Sequence, residues 1–140
     1  MSQLTRLPDW PERLAAFLAA VKDRRFAWAN HDCCSFAADA VLAMTGTDAI
    51  APWRGTYTTK LQAARVLGKA GGLSALVTSC VGQPLASPLL AQRGDVMLFE
   101  MPAPHGPAAL GICVGPHIAA PGPRGTELLP CAAALAAWRI

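Results

Sequence analysis

The sequence predicts an α+β domain with N-terminal helices, a cysteine at a helix N-terminus, and an antiparallel sheet for that helix to pack on. Three observations carry the expectation. Apolar residues recur at helical spacing in segments between Leu14 and Val81. From Pro84 onward, short apolar runs are separated by proline and glycine, which is the pattern of strands and turns. Helices first and a strand meander second pack as α+β. The third observation is local: Asp32 stands before an apolar-periodic stretch that opens with Cys33-Cys34, so a helix begins at the two thiols.

Taken in order, Asp9 and Glu12 read as a capping box with Pro11 in the first turn, and Leu14, Phe17, Leu18 and Val21 form one stripe of a helix reaching about Lys22. Lys22-Asp23-Arg24-Arg25 is its solvated, charged end. The cysteine helix runs from Cys33 to Met44 with Phe36, Ala40, Val41 and Met44 on one face, and Thr45-Gly46 stops it. Residues Thr47 to Thr58 form a loop long enough to bind or to cover, in which Trp53 and Tyr57 either line a cleft or pack on the core. Thr58 or Thr59 caps a helix through Leu61, Ala64 and Leu67, which Gly71-Gly72 breaks before a shorter helix from Leu73 to Val81. Strands are expected at Val96 to Met101, Ala108 to Val114, His117 to Ala120 and Thr126 to Leu129, with a last short helix from Cys131 to Ala137. Trp138 and Ile140 carry apolar surface where most chains are polar and frayed, and are expected to be buried.

The 140 residues fit one domain, 1–140, divided into an N-terminal helix (1–25), a helical half with the cysteine motif (26–83) and a strand-rich half (84–140). A hydrophobic fraction of 53% against 15% charged residues excludes disorder, and so much apolar surface has to be covered by the fold or by an assembly. The net charge of +3 is small and its basic residues are scattered, so no nucleic-acid footprint is present. No stretch approaches the ~20 apolar residues of a spanning helix, and Met1 to Pro11 lacks the apolar core of an export signal. Five cysteines, two of them adjacent, do not form the framework of a disulfide-stapled secreted domain.

At a helix N-terminus, unpaired N–H groups and the helix dipole favour a thiolate, which is how a nucleophilic cysteine is made. Two cysteines opening an apolar helix also serve as small core residues. The neighbouring segments distinguish the two. Phe26-Ala27-Trp28-Ala29-Asn30 precedes Asp32-Cys33-Cys34-Ser35, and Gly94-Asp95-Val96-Met97-Leu98-Phe99 and Ala109-Leu110-Gly111-Ile112-Cys113-Val114-Gly115 follow. In that order they resemble the NlpC-like, papain-like cysteine peptidases that cut cell-wall peptides, whose members carry aromatic-Trp-Gly, Asp-Cys-Ser-Gly, Gly-Asp-apolar and His-Val-Gly-Ile-Tyr-Val-Gly segments. The resemblance implies a papain-like NlpC-type fold and matches Cys33 to the nucleophile. The position of the family's general base is held by Ala109, and that of the polar residue that orients the base falls near Ala119. A looser likeness joins the chain to short phage tail-tip proteins that share this degenerate pattern.

A cysteine peptidase needs a thiolate, a base that returns the proton to the leaving amine, and a group that orients the base. His31 reads as a surface turn residue, and His105 and His117 are the remaining replacement-base candidates, in a proline-rich connection and a turn. A metal alternative would join His31, Cys33, Cys34 and Cys113 or Cys131, but no Cys-x-x-Cys spacing supports it, and neither metal nor cofactor is expected. The resemblance therefore implies a structural or adaptor component of a phage-type tail tip or baseplate, built on a catalytically degenerate peptidase fold. Its partners would be other tail or baseplate proteins, and its location the host cytoplasm during assembly and then the virion tail. The alternative is an active peptidoglycan endopeptidase or amidase that uses Cys33 with a relocated histidine.

Overall fold

Four helices precede one five-stranded sheet in the computed structural model, which describes residues 4–100 and 108–140. The helices are α1 (Trp10–Val21), α2 (Cys33–Thr45), α3 (Lys60–Ala70) and α4 (Leu73–Val81). The strands are β1 (Val96–Glu100), β2 (Ala108–Cys113), β3 (His117–Pro121), β4 (Thr126–Pro130) and β5 (Ala134–Trp138). They lie in the order β4-β3-β2-β1-β5, each antiparallel to its neighbour. The expected α+β architecture is present.

Local chemistry explains most helix ends. The Asp32 carboxylate accepts from the Ser35 N–H at 2.9 Å while the Ser35 hydroxyl accepts from the Asp32 N–H at 2.8 Å, a reciprocal cap that starts α2 at Cys33. Thr59 caps α3 through the Gln62 N–H. At α1 the expected capping box is absent: the Asp9 carboxylate takes the Arg13 guanidinium at 2.8 Å instead, a pairing one turn along the same helix.

The C-terminal segment departs from expectation. Cys131 to Ala137 is not a helix: Cys131–Ala133 makes one 3₁₀ turn, and β5 then pairs with the outer edge of β1, Val96 opposite Trp138 and Met97 opposite Ala137. Alanine favours helix intrinsically, but a free strand edge offers a row of unpaired backbone groups, and pairing with it lets Ala137 and Trp138 bury completely. Trp138 also donates its indole N–H to the Thr78 hydroxyl on α4 at 3.2 Å. Trp138 and Ile140 are buried as expected.

Period-two alternation divides the sheet into two apolar faces. Val96, Leu98, Leu110, Ile112, Ala119 and Trp138 join Leu14, Phe36, Val41 and Met44 of the helices in the main core. Met97, Phe99, Cys113, Ile118, Ala120 and Ala137 form a second cluster on the other face, against Leu85, Ala91, Leu129 and Cys131. Gly111 sits where β2 and β3 approach: a Cβ there would lie 2.5 Å from Ile118 Cγ2 and 2.6 Å from the Ala119 carbonyl oxygen.

Beneath the β1 entrance lies a buried carboxylate, Asp95. Its Oδ1 accepts from Arg6 Nη2 at 2.8 Å and the Ile140 N–H at 3.2 Å, and its Oδ2 from Arg139 Nε and the Gln92 N–H, both at 2.9 Å. Arg6 also donates to the main-chain oxygens of Ile140 at 2.6 Å and Arg93 at 2.9 Å, and its guanidinium stacks 4.1 Å over Trp10. One side chain thus secures three separate segments.

Candidate functional site

Cys33 is the first residue of α2, half-buried, and packed against the core face of the sheet. Its thiol is held below its usual pKa first by a hydrogen bond from the Cys34 thiol, then by the backbone N–H groups of Leu110 and Cys34, with burial and the Asp32 charge opposing. Cys34 is shifted upward by the same contact and by burial. The pair therefore favours a thiolate at Cys33, and Cys34 serves as its donor.

Asp32 supports the site without facing chemistry of its own. Besides Ser35, it accepts from the Ala29 N–H at 2.9 Å and from the Tyr57 hydroxyl at 2.6 Å. Tyr57 is buried, its phenol shifted strongly upward by burial and by that carboxylate, so it remains a neutral donor. The loop that carries it is fastened to α2 by Arg54, whose guanidinium reaches Asp39 at 3.0 Å and Asp48 at 2.8 Å. Tyr57 thus packs down beside the cysteines as part of a cover. Next to Cys34 a small apolar recess is lined by Val41, Ile50, Leu76, Val77 and Cys80.

Ala29 adopts a left-handed backbone, φ 70°, at the position where the NlpC-like pattern has glycine. That conformation turns its N–H toward Asp32, and the Ala27–His31 bridge closes the tight turn before the cysteines.

The register of β2 places Ala109, the expected base position, on the far face of the sheet. Ala109 pairs with Phe99 and belongs to the far cluster, so its side chain points away from α2 and from Cys33. The β2 positions directed at α2 are Ala108, Leu110 and Ile112, one residue out of step with the motif match. Ala119, the expected orienting position, does lie on the α2 side and is buried. Every one of these side chains is apolar.

The histidines do not converge on the thiol among the described residues. His31 is not a surface turn residue: it is fully buried, its ring stands edge-on to Phe36 at 5.5 Å, and both ring nitrogens lack a hydrogen-bond partner. Burial, and secondarily Arg24, holds its pKa below the usual value. The apolar-flanked turn between α1 and α2 folds the ring inward, and Phe36 continues the contact to Phe17 on α1. His117 is exposed at the start of β3, level with Val114, whose N–H donates to its carbonyl. Four residues of strand separate that level from Leu110, about 13 Å at the usual rise. His105 lies outside the described residues.

The suggested soft ligands are also divided, Cys33 and Cys34 on α2 and Cys113 and Cys131 across the sheet. Among the described residues no three or more His, Cys, Asp and Glu side chains gather as a metal site. No helix among them is long and apolar enough to cross a membrane.

The fold and site define an α+β domain with a polarised cysteine at a helix N-terminus above an antiparallel sheet. Over residues 5–140 the chain matches the family described as Domain of unknown function (DUF6950), and it belongs to that family. No curated protein matches it.

Proposed function

We propose that the domain is a catalytically degenerate NlpC-like fold that serves as a structural or adaptor component of a phage-type tail tip. The observation that carries this reading is the lining opposite Cys33: the sheet directs Ala108, Leu110, Ile112 and Ala119 toward α2, none of which can take or return a proton. A nucleophile without a base forfeits the roughly 10²- to 10⁴-fold that general acid–base help contributes. The tail-tip assignment draws on the sequence likeness.

The test is an assay of the purified protein and of Cys33→Ala on peptidoglycan fragments, with His31, His105 and His117 changed to alanine singly. No cleavage by any of them, with Cys33→Ala still able to co-assemble with tail proteins, is the expected result. Cleavage by wild type that disappears with Cys33→Ala and with one histidine variant would overturn the reading and identify the base.

A further inference from the structure

Three sulfur atoms converge on the face of the sheet turned away from Cys33. Met97 on β1 pairs with Gly111, and Cys113 lies two residues further along β2, the diagonal position on the same face. Cys131 opens the 3₁₀ turn after β4 and is held over them by its N–H, which donates to the Pro116 carbonyl at 3.1 Å. Its sulfur lies 3.9 Å from the Met97 sulfur and 3.4 Å from the Gly115 carbonyl oxygen. The Cys113 thiol donates to that same oxygen, also at 3.4 Å. Two thiols that share one oxygen atom are neighbours. Met97 and Cys113 are buried, whereas Cys131 is partly exposed and provides the entry.

We propose that Met97, Cys113 and Cys131 form a three-coordinate site for a soft monovalent metal ion, Cu(I) or its analogue Ag(I). Thiolate and thioether sulfurs select Cu(I) over hard cations. With metal–sulfur bonds of about 2.3 Å, three sulfurs around one ion stand roughly 4 Å apart. The Met97–Cys131 edge already measures 3.9 Å. Structural zinc sites are built from four Cys, His or carboxylate ligands, whereas this group offers two thiols and a thioether, and no third His, Cys, Asp or Glu joins it among the described residues. On binding, each thiol gives its proton to water and the ion keeps its charge, so two protons leave per ion and no electron moves. This inference is independent of the reading of Cys33.

The experiment is an anaerobic Cu(I) titration of the full chain against the coloured Cu(I) chelator bicinchoninate, with pH-stat recording of proton release. It uses a Cys33→Ser, Cys34→Ser background so that the adjacent thiols of α2 cannot supply the signal. One ion retained per chain and two protons released are expected. Cys131→Ser, at the partly exposed ligand, should weaken binding by more than the roughly 10- to 100-fold that loss of even an outer-shell partner costs. Met97→Leu should weaken it without abolishing proton release. Complete transfer of copper to the chelator by the background variant, or an affinity unchanged by Cys131→Ser in protein with wild-type circular dichroism, would overturn the proposal.

Discussion

At the residue scale, two positions around the cysteine turn have conformations or environments that oppose their own chemistry. Ala29 holds φ 70°, where a side chain costs roughly 1–2 kcal/mol per residue. Glycine relieves that strain but has more freedom to lose on folding, an offset of roughly 0.4–1 kcal/mol. Ala29→Gly should therefore stabilise the fold by about 0.5–1 kcal/mol, seen as a higher urea midpoint with an unchanged slope; a lower midpoint would contradict the left-handed turn. His31 presents the opposite case, an imidazole buried without partners. Its folded pKa lies below the unfolded value of about 6.5. Between the two, the unfolded chain binds the proton and the folded one does not. Stability conferred by the neutral ring is thus complete above about pH 6.5 and is lost as pH falls toward the folded pKa. Arg24 deepens the effect, and Asp39 and Asp32 oppose it. His31→Phe should remove this slope, and at neutral pH should be neutral or stabilising, because no unpaired ring nitrogens remain. Denaturation of both proteins from pH 7.5 to 5 checks it: a slope retained by the variant would assign the acid sensitivity elsewhere.

At the element scale, Asp95 is the joint on which β1, β5 and the N-terminal segment depend. Removing the partner from a buried ion pair typically costs about 3–5 kcal/mol, while an exposed pair contributes about 1 or less. Asp95→Ala should fall in the first range, because it takes the carboxylate from the largely buried Arg6 charge and leaves two backbone N–H groups unpaired. Arg139→Ala should fall in the second, its side chain being about half exposed. Equal losses in chemical denaturation would show that the contact with Arg139 dominates the cluster. The sequence marked Gly94-Asp95 as a motif but could not reveal this role, since its partners lie 89 and 44 residues away. Helices α2 and α3 were legible because their side-chain caps are local, α4 because Gly72 and Gly82 bracket it, and β1 to β4 because strand runs alternate with turn residues. Strand β5 was not legible: an alanine-rich segment has no pattern of its own, and its conformation is decided by an edge about 40 residues earlier in the chain. Cys33 at a helix start was readable from Asp32. The inward turn of His31, the Tyr57–Asp32 bond and the face occupied by Ala109 depend on tertiary register, where one residue of slip reverses a side chain.

At the scale of the whole molecule, the Asp95 cluster has a topological consequence. The Arg6 guanidinium touches the main-chain oxygen of Ile140 at 2.6 Å, so the described chain comes back to where it started and its path is nearly a closed ring. Loosening either segment removes an anchor of the other, so the two ends of the described chain belong to one cooperative unit with β1.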